Sequence, residues 1–522
     1  MSGVGRTGTG RFGLSCAPPA QAGGVIKKKP ASATSAPHRQ SIDSAGPQKI
    51  YDVSIPNKLR MLLESWGPAM VKEVQACCAQ WATGPGCRGV EVYRSVLFTR
   101  ARVRVGTDCS GAEAPVWALR SMGIPHQHKF SCDWQAVVRD FVAAVCPPDG
   151  PIFHNMLTRQ MPDIPEVDVY ICGFPCTPFS YLRRHKTRLL RESAAKPFFK
   201  VRDVLRERQP PLAILENVLG IEKVMEQVCR VLRALGSYFV IVVKIDSKEL
   251  GAPISRPRFY FILVRQDRAI TDDVANLKSL GAAIMQSAKK QVQGTIVDLM
   301  LPAQPATSRR TACGQKSARC TGSQWQQKHT AFRKKHALPS GSSVAARDAK
   351  GPTNARQRDA WQLLQAANPG QDIIADISQN IDRARVTTNG VCPTICPNSV
   401  TWVKKAGREL SSFETLSAHF FPLHRMRIPV SVKPRTLATL GGNTMHLKSV
   451  GLAMCIGFAM LKTGVGESGS VRTGVEKLGK ATVPDIIFLD TPSNTEEPAT
   501  PASRKRTEPR MPIRMKRRRV SN

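Results

Sequence analysis

Acidic side chains are scarce in this chain. Its 522 residues carry 39 Asp and Glu against 76 Lys and Arg, a formal net charge of +37 at pH 7, and no acid stands before Asp43. So large a basic excess points to a polyanionic partner, most simply nucleic acid. Aromatic residues are also few, at 6%. No apolar run approaches the ~18 residues of a membrane span. Nor is there a secretory core, a basic amphipathic helix or a lipidation signal to favour a membrane surface. None of the 15 cysteines forms a C-x-x-C pair, and the spacings of Cys313, Cys320, Cys392 and Cys396 do not fit the common zinc sites. No metal is expected. Without an export signal, the thiols read as reduced and intracellular.

What is present is globular. A hydrophobic content of 42% and this length allow two or three domains. Residues 1–50 read as a disordered basic arm whose acid-poor composition also suits an organelle transit peptide. Residues 51–99 read as a helical extension, LRMLLESWGPAMVKEVQACCAQW, interrupted at Gly67-Pro68. Over 100–265 strands alternate with helices: RVRVGTD, the strand ending SCD, EVDVYICG, LAILENV, and finally YFVIVVKID and RFYFILVR. That alternation predicts a parallel α/β sheet. IEKVMEQVCRVLRALG is the clearest helix, with Ile221, Val224, Met225, Val228, Val231, Leu232 and Leu235 on one face. Residues 266–435 read as a second, irregular domain. An apolar helical segment around 436–462 returns to the first, and 463–522 reads as a disordered basic tail.

Open α/β sheets bind ligands at the carboxyl ends of their strands. The first strand ends in TDCSGAEAP, where Gly111 allows a tight turn before a helix. Asp133 closes the second strand, where an acid would meet ribose hydroxyls, and Trp134 beside it suits stacking on a base. The third strand runs into GFPCTPFS, with Cys176 between Pro175 and Pro178. Glu216 ends the apolar strand LAILENV, a setting that would keep a carboxyl protonated at neutral pH. Arg256 and Arg258 start the last strand. A thiolate, an acid and two cations suit addition of sulfur to an unsaturated ring while the acid neutralises the developing charge. Taken singly, Cys176 reads equally as a core thiol, Glu216 as a helix-start cap and the arginines as surface charge.

The order of these segments resembles the cytosine-5 DNA methyltransferases. GFPCTPFS resembles their nucleophile loop, LENV their Glu-Asn-Val, GAPISRPRFYFILV their Pro-Gln-x-Arg-x-Arg segment and LGGNTMHLKSVG their closing Gly-Asn-Ser/Thr motif. GVCPTICP (390–397) and RELSSFETLSAHFFP (408–422) resemble two intermediate segments. The series spans residues 102–462.

The resemblance implies a Rossmann-like methyltransferase sheet with a smaller target-recognition domain, and S-adenosylmethionine as cofactor. It implies Cys176 as nucleophile toward ring carbon 6 of cytosine and Glu216 at ring nitrogen 3. Arg258 and Arg256 would hold the base and active-site loop. Gly111, Asp133, Trp134, Asn155, Phe174, Asn443 and Thr444 take the cofactor positions. The partner is duplex DNA with the target base flipped out. Five positions depart from the family pattern. Glu113 and Ala114 stand in place of further glycines, Asn155 in place of an aspartate, and Thr177 and Ile254 in place of glutamines. Two other functions fit the same residues: methylation of transfer RNA, and non-catalytic chromatin binding on this fold. RKR (504–506) and KRRR (516–519) favour a nucleus over an organelle.

Overall fold

The computed structural model describes residues 49–85, 87, 90–176, 179, 193–302, 322–339, 351–352, 354–464 and 486–489. The basic arm of 1–48, Thr177, Pro178, Cys313, Cys320 and the two basic clusters beyond 500 lie outside them.

Seven strands come from the first half: β1 (Val103–Asp108), β2 (His126–Cys132), β3 (Ile152–Phe153), β4 (Val169–Cys172), β5 (Leu212–Val218), β6 (Tyr238–Ile245) and β7 (Arg258–Arg265). A small sheet follows in β8 (Ile374–Asp376), β9 (Arg385–Thr387), β10 (Thr401–Val403) and β11 (Arg408–Glu409), and β12 (Ile486–Leu489) comes last. The large sheet has the order β12-β6-β7-β5-β4-β1-β2-β3. From β1 the chain proceeds outward through β2 and β3, then returns to β4 on the other side. The switch point therefore lies between β1 and β4, which pair in parallel with Asp108 opposite Cys172. One expectation changes here. The sheet is not wholly parallel, because β7 runs antiparallel to both β5 and β6. β6 and β7 are consecutive strands joined without a crossover α-helix, as an antiparallel pair allows, whereas a parallel pair needs a crossover.

Both faces of the sheet are covered, and β4 to β7 at its centre are apolar at most positions. Side chains alternate between faces. Val103, Val105, Ile171, Ile214, Ile241 and Ile262 join a core with helices Asn57–Ala82, Ala114–Met122, Ala136–Val145 and Leu447–Met460. Phe130, Tyr170, Cys172, Ala213, Leu215 and Phe261 join the opposite core with helices Lys196–Arg208 and Met225–Arg233. Leu447–Met460 is apolar all round and almost wholly buried. It lies so close to the sheet that a Cβ on Gly457 would meet Leu212 Cδ1 at 2.7 Å. A larger residue there would force helix and sheet apart.

Four sequence expectations are revised by the packing. Asn57–Ala82 is one helix running through Pro68, because its buried face (Leu59, Leu63, Trp66, Met70, Val74) stays in register across the proline. The clearest sequence helix opens as a 3-10 turn over Leu219–Val224 before α-helix begins at Met225. Residues 266–435 do not pack as one unit. Leu277, Leu280, Ile284, Phe413, Leu416 and Phe421 belong to the large core, while Ala360, Trp361, Ile373, Ala375 and Trp402 form a separate small one. Finally, Ile486–Leu489, inside the stretch read as tail, pairs in parallel with β6. Its Ile487 and Leu489 enter the large core, as an apolar quartet beside an open strand edge should.

Candidate active site

β4 delivers the cysteine loop to the switch point. Cys176 is solvent-exposed, while Phe174 before it is buried against Phe179 and Phe198. That aromatic anchor and Pro175 restrict the loop. Crowding by protein pushes the Cys176 thiol up, Glu216 pushes it further, and Arg258 and then Arg256 pull it down. A thiol so held waits neutral until its proton is removed.

β5 delivers Glu216 and Asn217. A Cβ on Gly173 would lie 3.3 Å from Glu216 Oε2 and 2.8 Å from Met445 Cε, so glycine is what lets acid, cysteine loop and the 443–445 turn converge. The expected apolar surroundings of Glu216 are not found. Arg258 Nε donates to Glu216 Oε1 at 2.9 Å, with both side chains 12% exposed. The cause is β7, whose antiparallel register sets Arg258 opposite Val218, two residues beyond Glu216.

Arg256 is placed differently from its neighbour. It is buried, its Nη1 donates to Ile395 O (2.9 Å) and its Nη2 to Gly442 O (3.1 Å). Burial, then repulsion from Arg258, lowers its pKa to about 10. It therefore clamps two remote backbone segments and is a positioning residue. The 390–397 segment is further stitched to β7's approach by Cys392 N to Pro253 O, Ser255 N to Cys392 O and Thr394 Oγ1 to Ser255 O. Buried Asn217 was not singled out by the sequence analysis. Its Nδ2 donates to Phe174 O at 3.0 Å, fixing the cysteine loop to β5. The available signal was an amide at the end of an apolar strand.

The proposed cofactor residues gather on the β1–β2 side. Gly111 has φ +55 and open space where a Cβ would be. Its N–H donates to Asp133 Oδ2 at 3.3 Å, and Gln135 N donates to Oδ1 at 2.9 Å. Burial raises the Asp133 pKa, against those backbone donors. Trp134 is 73% exposed, a large apolar surface left open by the described residues. A cavity between Gln135, Val138, Arg435 and Leu440 links this turn to helix Pro434–Asn443. At that helix end Asn443 is exposed and Thr444 buried, with Thr444 Oγ1 lacking any partner. Asn155 lies two residues past β3, its Oδ1 accepting from Leu157 N. Phe174 is buried, its ring against Phe179 and Phe198. Glu113 turns inward, away from the cleft, and is fully buried. An open glycine turn, an acid, an exposed indole and an orphaned hydroxyl fit an adenosine-bearing cofactor with a charged amino-acid end.

Fold and site together define a Rossmann-like methyltransferase with a cysteine, an acid and an arginine at its switch point. The model of the C-5 cytosine-specific DNA methylase family matches residues 120–423, more than half of the chain, and the chain belongs to that family. A DNA (cytosine-5-)-methyltransferase DMT5 from Cryptococcus neoformans var. grubii is 24% identical over 410 residues, covering 68% of this chain and 17% of the relative. The DMT5 of Verticillium dahliae is 22% identical over 461 residues, covering 68% and 19%. The chain thus spans less than a fifth of the length of either. The type II methyltransferase M.BanI of Aneurinibacillus aneurinilyticus is 32% identical over 109 residues, 20% of this chain and 25% of the relative. Among solved structures, S. pombe Dnmt2 methyltransferase aligns over 68% of this chain and 98% of its own at 13% identity with a TM-score of 0.41, too distant a likeness to add to the assignment.

Proposed function

We propose that the protein methylates carbon 5 of cytosine in DNA through a transient bond from Cys176 to an extruded base, with S-adenosylmethionine as methyl donor. The observation that carries the reading is the convergence of the Cys176 loop, Glu216 and Arg258 at the ends of β4, β5 and β7. The Cys176 proton passes to solvent and its sulfur bonds to ring carbon 6, pushing the pair of the 5,6 double bond through carbons 5 and 4 toward ring nitrogen 3 and leaving carbon 5 nucleophilic. Glu216, backed by Arg258, hydrogen-bonds or protonates ring nitrogen 3 and offsets the charge arriving there. Gly111, Asp133, Trp134, Asn443 and Thr444 would hold the cofactor, which would supply an electrophilic methyl group to carbon 5. Carbon 5 then loses its proton, and the returning pair expels the Cys176 thiolate and restores the ring. The base must leave the stack for the sulfur to reach it. Asn217 keeps the cysteine loop in place throughout, and Arg256 holds the segments around Ile395 and Gly442 beside it.

Family membership and the similarity to DMT5 DNA (cytosine-5-)-methyltransferases support DNA as the substrate. Purified protein with labelled cofactor should label duplex DNA. Label in transfer RNA alone would replace DNA as the substrate. DNA containing 5-fluorocytosine should trap the wild type covalently and not Cys176→Ser. If both behave alike, the chain is a binding scaffold. The basic clusters near 504–519 support a nuclear location, which imaging of a tagged protein lacking them would test.

A further inference from the structure

Every second residue of the first turn is left-handed: Cys109, Gly111 and Glu113 have φ of 52°, 55° and 58°. Glycine adopts that conformation freely, but glutamate does so only when something holds it. In this chain the hold is the glutamate's own side chain. Glu113 is fully buried, and Oε1 accepts from Ser131 Oγ (2.5 Å) and Thr107 Oγ1 (2.9 Å). His128 Nε2 lies 3.7 Å from the same oxygen. Thr107 belongs to β1, and Ser131 and His128 to β2, so one carboxyl ties both strands beneath the turn. The backbone completes the frame. Glu113 N donates to Ser110 O, and Glu113 O accepts from Trp117 N to start helix Ala114–Met122. Ser110 is fastened to β2 through its N–H to Cys132 O and through Cys132 N to its Oγ. Gly111, between these two anchors, is left with its N–H toward Asp133.

We propose that Glu113 is a positioning residue for the cofactor, its buried carboxyl fixing the turn that presents Gly111 and Asp133. The proposal rests on the reading of this turn as the cofactor cradle. Glu113 does not face the cleft, so it acts through Gly111 and Asp133 alone.

The design has a pH signature. Burial raises the Glu113 pKa to about 7, against the hydroxyls of Ser131, Thr107 and Ser110, with the Asp133 charge raising it further. The other titratable groups around it are His128, which burial, Arg120 and His126 hold down at about 4, and Cys146, pushed up to about 12 by burial and by Glu113 itself. Glu113 is thus the member of this cluster that ionises near neutrality. Its folded pKa lies above the ordinary value of 4.5. The stability it lends is full below 4.5 and is lost as pH rises through 7.

The test uses the full chain and two readouts, calorimetric affinity for S-adenosylmethionine and S-adenosylhomocysteine, and the melting temperature without either. Glu113→Gln keeps an oxygen acceptor and stays neutral. It should bind within about threefold of wild type at pH 6, and lose about tenfold less affinity than wild type by pH 8.5, since one pKa unit of linkage is a factor of ten. Ser131→Ala removes one anchor and should weaken binding by about threefold or more at every pH, a loss on the scale of one hydrogen bond. If both variants match the wild-type affinity across this range and only the melting temperature changes, Glu113 is a packing element and the proposal fails. If folded wild type binds neither cofactor form, the cradle reading itself fails and takes the proposal with it.

Discussion

The two halves of the sheet's carboxyl edge are held together by opposite means. On the β5–β7 side the fastening is ionic: Arg258 against Glu216, and Arg256 reaching the carbonyls of Ile395 and Gly442. On the β1–β2 side Glu113 is fastened by neutral hydroxyls from Thr107 and Ser131. The difference suits the task proposed for each half. Where charge would develop on a base, an acid backed by a guanidinium can offset it. Where a cofactor would be cradled, hydrogen bonds to Glu113 set the geometry of the turn. The contrast is local to these groups, for Arg159 pairs with Asp108 on the cofactor side too, at 2.6 and 2.5 Å, beneath the turn.

Removing the sulfur should have the largest effect. Cys176→Ser should lower methyl transfer to duplex DNA by more than about a thousandfold, as loss of a nucleophile does, while cofactor affinity stays intact. Glu216→Gln keeps the shape but removes the acid. Methyl transfer should fall by about 10²–10⁴-fold in kcat, again with unchanged cofactor affinity. A parallel loss of cofactor binding in either variant would erase the division of labour between the halves.

Arg256→Met should act on stability. Two carbonyls lose charge-assisted donors worth about 1.5–3 kcal/mol each, so denaturant unfolding should show a loss on the order of 3 kcal/mol. Lys at the same position should not rescue it, since one ammonium cannot span two remote acceptors with a planar fork. Asn217→Ala should cost about 1 kcal/mol and reduce kcat more than it raises KM, because the cysteine loop loses its tie to Phe174 O. The smallest effect lies in the small core. Burial raises the Asp359 carboxyl, but His329 and Arg333 outweigh it and hold the pKa below the ordinary 3.8. A depressed carboxyl lends stability above that value and loses it as pH falls further. The packing of helix Gly322–Lys335 on Ala355–Ala366 should therefore loosen only below about pH 4, seen as a change in Trp325 fluorescence.

The placing of Cys176 on an exposed loop after β4 was legible from the strand order, although the thiol taken singly read equally as core, and Gly111 and Asp133 were picked out because they follow successive strands. Other features depend on partners that no local pattern reveals. Arg256 reaches carbonyls 139 and 186 residues away, so sequence spacing could place it near the site but not tell a clamp from a base contact. The surroundings of Glu216 were misread because its strand is apolar when taken alone, and the pairing that sets Arg258 beside Glu216 is written in neither apolar run. Glu113 read as a missing glycine. Its compensation lies in Ser131 and His128, which are ordinary strand residues until β2 is laid beside β1. The limits of the smaller unit were hidden because Leu277 and Phe413 have the same character as residues of its own core.

β12 carries a practical lesson. Every residue of the proposed site lies before Leu461, and the family match stops at 423, so a truncated protein ending near 462 would look complete on paper. It would lack Leu489, whose Cδ1 sits 2.7 Å from where a Cβ on Gly281 would be, and would bare the β6 edge that Ile486–Leu489 caps. Unsheathed strand edges recruit one another, and such a shortened protein should precipitate or self-associate for reasons unrelated to chemistry.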